Sequence, residues 1–188
     1  SIDRCIAYVK EHCPQFKNII VCDTMEECCK DADIMTIAVS TPTGGHANYP
    51  FIQREWLKPG CLMCAPGAVD FPDELVCDPK VKLVVDNKKL YEAWAEEYPY
   101  PTFDKMFLLG DKFTDLGHDG KLDWGVVQNI GAIANGKVPG RESDDQIILY
   151  SIGGMPVEDV AWGKTVYETA LEKGIGTKLN LWDAPYLY

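Results

Sequence analysis

Basic residues are scarce in this chain. Lys and Arg number 18 against 29 Asp and Glu, a formal charge of −11. That balance excludes nucleic acid and an anionic membrane surface as main partners, because both demand a basic face. Long apolar runs are missing too, and no stretch approaches the roughly 20 residues that cross a bilayer. Residues 1–10 carry charge throughout and hold no signal-peptide core, so the chain reads as cytoplasmic. Glycine is absent before Gly44. Asp23, at the end of a strand-like run, therefore lacks the upstream glycine-rich turn that a ribose-binding acid requires, and it reads as a loop or cap residue. Histidine occurs three times, never near Asp144-Asp145, which leaves that pair a structural cap or loop contact with no metal.

What is present is ordinary globular composition: 188 residues, 46% hydrophobic and 25% charged, enough for one domain and a piece of another. The eight cysteines do not suggest a disulfide framework. The one CxxC, Cys61 to Cys64, falls in an apolar strand-like run, where residues an odd number apart point to opposite faces. Reduced, buried thiols are the expectation.

Periodicity orders the chain. Ile2, Ile6, Val9 and Cys13 recur at helical spacing up to Pro14. Asn18 to Cys22 reads as a strand, and Thr24 with Glu27 forms a capping box for a short helix. Asp33–Val39, Cys61–Ala65, Lys82–Asp86 and Gln146–Tyr150 read as strands, with helices over Lys89–Glu97, Val126–Ala134 and Pro156–Lys173. Strands apolar throughout and alternating with helices predict an α/β fold with a parallel sheet covered on both faces. The last helix has Pro at its start, Glu158 and Asp159 in its first turn and Gly174 at its stop. Its positions Val160, Val166, Ala170 and Leu171 predict a packing face, with Trp162 and Tyr167 as core or dimer contacts. Gly163-Lys164-Thr165 mimics the end of a phosphate loop, but Glu158 stands where that motif needs glycine. His12 and His118 read as solvent residues, and His46, after two glycines, as either an exposed loop histidine or one lining a ligand cleft.

Gly136-Lys137-Val138-Pro139-Gly140-Arg141-Glu142-Ser143-Asp144-Asp145, followed by Tyr150-Ser151-Ile152-Gly153-Gly154 and Gly174-Ile175-Gly176-Thr177, resembles the ornithine cyclodeaminase and mu-crystallin family. Ala32-Asp33-Ile34, Glu55-Trp56-Leu57-Lys58-Pro59-Gly60 and Ala65-Pro66-Gly67-Ala68 fall in the order that family shows. The resemblance covers nearly the whole chain. It implies a Rossmann-type NAD or NADP domain, here over 1–155, and a helix returning to a substrate and dimerisation domain over 156–188. It also implies a small amino-acid or imine substrate, a homodimer and no metal. The chemistry is either cyclising deamination of ornithine or imine reduction and alanine-type dehydrogenation, with a non-catalytic binding protein as the further alternative.

Residue by residue, the resemblance places Ser40, Thr41, Pro42 and Thr43 at the cofactor. It places Ala65, Pro66, Gly67 and Ala68 at the nicotinamide, and Ser151, Ile152 and Gly153 beside nicotinamide and substrate. The family's catalytic aspartate follows its glycine pair directly, whereas Gly67-Ala68 is followed by Val69 and then Asp70. Asp70 is either the acid/base after a one-residue shift or a loop aspartate beside Phe71-Pro72; Asp73 and Glu74 are the other candidates. The Gly45–Pro50 insertion and the stretch from Tyr91 to Asp123 exceed a simple cyclodeaminase. In the family the glycine-rich fingerprint and first two strands precede the helix that opens this sequence. The expectation is an incomplete dinucleotide domain, Asn18–Cys22 as strand three and Asp33–Val39 as strand four, completed by a preceding segment of a longer protein.

Overall fold

A computed structural model describes residues 2–40 and 42–179. They divide into two compact units, 1–153 and 154–188. The first is built on five parallel strands: β1 (Ile34–Thr36), β2 (Leu62–Ala65), β3 (Lys82–Val85), β4 (Gln128–Asn129) and β5 (Ile148–Ser151). Their order is β1-β2-β5-β3-β4. β5 lies in the slot between β2 and β3, with Met63 level with Leu149 on one side and Leu83 on the other. Those three side chains are buried, as the uniformly apolar runs demand of a sheet covered on both faces.

Helices α1 (Ile2–His12), α2 (Met25–Cys29), α3 (Asp73–Val76), α4 (Lys88–Glu97), α5 (Phe103–Met106), α6 (Leu109–His118) and α7 (Ile130–Ala134) complete this unit. Thr24 accepts the Glu27 N–H and caps α2, while the Glu27 carboxylate accepts the Asp23 N–H, so Asp23 belongs to the cap. Asn87 caps α4 through Lys89 N–H. The second unit contains α8 (Pro156–Lys173), closed by Gly174 in the left-handed region at φ 62°.

Four expectations need correction. Asn18–Cys22 is extended but joins no sheet among the described residues, and Ile19, Ile20 and Val21 are exposed; a β-branched run becomes a strand only where a neighbouring strand pairs with it. β1 is an edge strand paired only with β2 among the described residues. The helix expected over Val126–Ala134 is confined to Ile130–Ala134, because Gln128 and Asn129 pair with β3 and the Asn129 side chain accepts the Lys88 N–H. Only Cys29 and Cys61 of the eight thiols are buried, and Cys5 and Cys28 are exposed. On α8 no residue is buried, so Val160, Trp162, Val166, Tyr167 and Leu171 are not core.

The largest departure from expectation is α6. It buries Leu109, Phe113 and Leu116, but also Gly110, Asp111 and Lys112. A Cβ on Gly110 would come within 2.4 Å of the Tyr91 ring, so only glycine lets α6 approach α4 this closely. Asp111 reaches back to the Leu108 N–H at 3.1 Å, while its other oxygen is buried without a partner. Burial pushes this carboxyl up to about 8. The folded protein then holds a proton that the unfolded chain has released. Stability accordingly falls as pH rises from 3.8 to about 8, at up to about 1.4 kcal/mol per pH unit. Asp111→Asn should remove that slope, as urea unfolding at about pH 5 and about pH 8.5 would show.

Candidate functional site

In an open parallel sheet the segments leaving the carboxyl ends of the strands surround the ligand crevice. Here those segments are stitched by backbone hydrogen bonds. Ile37 N–H donates to Cys64 O at 2.9 Å, Gly67 N–H to Ile37 O at 3.0 Å, and Ile152 N–H to Ala65 O at 3.1 Å. Asp86, at the end of β3, accepts the Gly153 N–H at 2.8 Å. The structure thus brings Ala65–Ala68 together with Ser151–Gly153. Gly67 permits this approach, since a Cβ there would lie 2.9 Å from Val39 O and 3.0 Å from Ile37 O.

The other expected positions behave differently. Ser40 and Thr43 are exposed and Pro42 is half-buried; Thr41 lies outside the described residues. Thr43 O accepts the Asn48 side chain at 2.8 Å. Ser151 is fully buried, its hydroxyl taking the Gly110 N–H at 2.8 Å and bonding the Tyr91 hydroxyl at 3.1 Å. Burial drives the Tyr91 phenol far up, so it remains a protonated donor. What Ser151 offers the crevice is its backbone.

Asp70 is buried and paired. Its Oδ1 accepts the Phe71 N–H at 2.7 Å and Lys112 Nζ at 2.5 Å, and its backbone bonds Pro50 O and the Ile52 N–H. Lys112 also reaches Asp73 at 3.0 Å, which Lys121 meets from the other side at 3.3 Å. Burial raises the Asp73 carboxyl, but the two ammonium groups outweigh it and hold it below its ordinary value. A cleft of about 540 Å³ opens here, lined by His46, Phe51, Asp70, Phe103 and Lys112 among others.

Lys112, Asp104 and the role of His46 escape a reading of the sequence. For Lys112 a signal existed: Leu109, Phe113 and Leu116 recur at three to four residues, the spacing of a buried helical face. Asp144-Asp145 resolves as a structural turn, with Asp145 O accepting the Gly60 N–H at 2.9 Å and its carboxylate accepting Ser143 Oγ at 2.5 Å.

A parallel α/β unit with small residues at its carboxyl edge belongs to the open-sheet class of folds, in which ligands bind outside the carboxyl ends of the strands. Within that class, the chain belongs to the ornithine cyclodeaminase/mu-crystallin family, whose profile matches residues 1–174. It is 26% identical over 166 residues to the N-((2S)-2-amino-2-carboxyethyl)-L-glutamate dehydrogenase of Staphylococcus aureus, covering 88% of this chain and 43% of that protein. It is 31% identical over 135 residues to the alanine dehydrogenase of Archaeoglobus fulgidus, covering 70% and 37%. Among solved structures, an archaeal alanine dehydrogenase dimer with bound NAD matches with a TM-score of 0.64 at 22% identity, covering 96% of this chain and 49% of that one. The Δ1-pyrroline-2-carboxylate reductase of Thermococcus litoralis, in complex with NADH and L-proline, matches with a TM-score of 0.60 at 23% identity, covering 84% and 44%. The chain spans less than half the length of these relatives.

Two substitutions probe this architecture. Gly67→Ala should cost about 1–3 kcal/mol, since backbone atoms cannot yield to the new methyl. Lys112→Met should cost about 3–5 kcal/mol by stranding buried carboxylate charge. Denaturant unfolding measures both.

Proposed function

We propose that this chain forms the nicotinamide-facing part of an NAD- or NADP-dependent oxidoreductase acting on a small amino acid or its imine. The observation that carries the proposal is the stitched junction of Ala65–Gly67 with Ile152–Gly153 at the carboxyl edge of the sheet. Ala65, Pro66, Gly67, Ala68 and Gly153 carry almost no side-chain bulk, which fits a flat ring held against backbone. When bound, the nicotinamide supplies hydride exchange with a carbon bearing nitrogen. The family resemblance assigns Ser40, Pro42 and Thr43 to the same cofactor; Thr41, assigned with them, lies outside the described residues. The glycine-rich pyrophosphate turn is not among these residues, and a preceding segment of the same protein would supply it.

Within this reading Asp70 is the catalytic carboxylate. Lys112 holds it in place through a 2.5 Å contact to Oδ1, positioned to take or return the proton that accompanies the hydride. Relatives named as dehydrogenases and reductases favour net redox chemistry over deaminating cyclisation. A homodimer belongs to the same reading, supported by the archaeal neighbour described as a dimer and by the unburied apolar residues of α8.

Titrating NADH should quench the fluorescence of the five Trp residues. Net NADH consumption with Δ1-pyrroline-2-carboxylate, or with pyruvate and ammonium, supports the reductase or dehydrogenase. Ammonia released from ornithine without net NADH change would instead establish the cyclodeaminase. Asp70→Asn should lower turnover on the order of 10²-fold or more while NADH still quenches; full activity in that variant removes Asp70 from the chemistry.

A further inference from the structure

His46 stands in the insertion Gly45–Pro50, and the structure gives it a specific partner 58 residues away. The Asp104 carboxylate Oδ1 accepts the His46 backbone N–H at 3.2 Å and is bonded again by the ring Nδ1. Two consecutive glycines in the left-handed region, Gly44 at φ 98° and Gly45 at φ 82°, turn the loop into that position. A Cβ on Gly45 would crowd Asp104 Oδ1 at 3.3 Å. Phe103 packs against the imidazole with ring centroids 6.0 Å apart and planes 26° from parallel. The hydrogen bond from His46 holds the Asp104 carboxyl below its ordinary value.

This arrangement fixes one imidazole in one orientation. With Nδ1 committed to a carboxylate, Nε2 is the nitrogen left to exchange a proton, the logic of a His–Asp pair in acid/base chemistry. The His46 side chain is 51% exposed, and the residue lines the same cleft as Asp70 and Lys112, whose side chains are 11% and 10% exposed. The insertion is tied to the crevice as well. Tyr49 packs with Ala68 and Phe103 in a buried cluster of its own and donates its hydroxyl to Phe103 O at 3.2 Å. Asp70, 11% exposed and bonded to Lys112, meets little solvent. The half-exposed imidazole in the same cleft meets more.

We propose that His46, oriented by Asp104, is a proton-transfer residue of the active-site cleft, carrying protons between solvent and the reacting nitrogen. The proposal rests on the oxidoreductase reading above. In the reductive direction the imine carbon receives a hydride with its electron pair from the reduced nicotinamide, and the C=N π pair moves onto nitrogen. That nitrogen takes its proton from Asp70, Asp70 is resupplied from Nε2 of the imidazolium across the same cleft, and neutral His46 regains a proton from water. Imine, reduced nicotinamide and one proton thus become amine and oxidised nicotinamide. Asp104 stays bonded to Nδ1 throughout.

The test compares wild type, His46→Ala and His46→Asn in NADH-dependent imine reduction, with and without added imidazole. The Asn amide can still donate to Asp104 but has no Nε2, so it separates proton transfer from loop positioning. Expected are a fall in kcat on the order of 10²-fold in both variants, little change in KM, and recovery in His46→Ala that rises with imidazole concentration. Asp104→Asn should give a smaller loss. Wild-type rates in either variant, or a loss that imidazole does not restore, overturns the proposal; circular dichroism and NADH quenching identify a variant that has merely unfolded, and His46→Asn then decides alone. A full-length wild type, preceding segment included, that turns over none of the substrates overturns the oxidoreductase reading and this proposal with it. Turnover by the wild type with unaffected His46 variants overturns only this one.

Discussion

One ammonium group, Lys112 Nζ, holds together much of what surrounds the cleft. It binds Asp70, Phe71 O and Asp73 at once, and so pins α6 to the segment that follows β2. Removing the Asp70 carboxylate and the Lys112 ammonium from water is expensive, and only a dense set of partners offsets it. With α6 fixed, its next turn becomes useful. Asp115 accepts the N–H groups of Thr102 and Phe103 at 3.0 and 2.9 Å, which sets the start of α5. From there Asp104 meets His46. Gly110, from the same helix, feeds its N–H to Ser151. A buried charge on one helix thereby fixes both the end of the central strand and the loop across the cleft.

The parts of the fold legible in the sequence were those where one force dominates. β2, β3 and β5 are continuous apolar runs, and α4 and α8 carry their own caps and stops, so local pattern and tertiary demand agree. Asn18–Cys22 shows the limit of that logic, because β-branched residues favour extended backbone but cannot supply a neighbouring strand. α6 was missed for the opposite reason: Asp111 and Lys112 sit at buried positions where a pattern reader expects apolar side chains, and their partners lie 42 residues away in the case of Asp70.

The candidate site was legible only through resemblance. Nothing in the spacing of Ala65–Ala68 or Ser151–Gly153 announces that they meet; their junction depends on the parallel register of β2 with β5. The pairing of His46 with Asp104 was invisible for the same reason, since long-range contacts between loops leave no periodicity behind. Family likeness pointed to the crevice, while Lys112, Asp104 and His46 come from the segments 45–50 and 91–123 that the likeness left unexplained.

The slotting of β5 between β2 and β3 also bears on how the molecule comes to be made. The strand at the middle of this sheet is the last of the five to leave a ribosome. Until it arrives, β1 with β2 and β3 with β4 are two half-sheets whose inner edges face each other across an empty row. Unpaired edges of that kind recruit strands from other chains, and sheets that close late through distant pairings fold slowly. Nascent chains of this protein therefore pass through a stage in which the inner edges of β2 and β3 are open, the stage at which shielding by a chaperone counts.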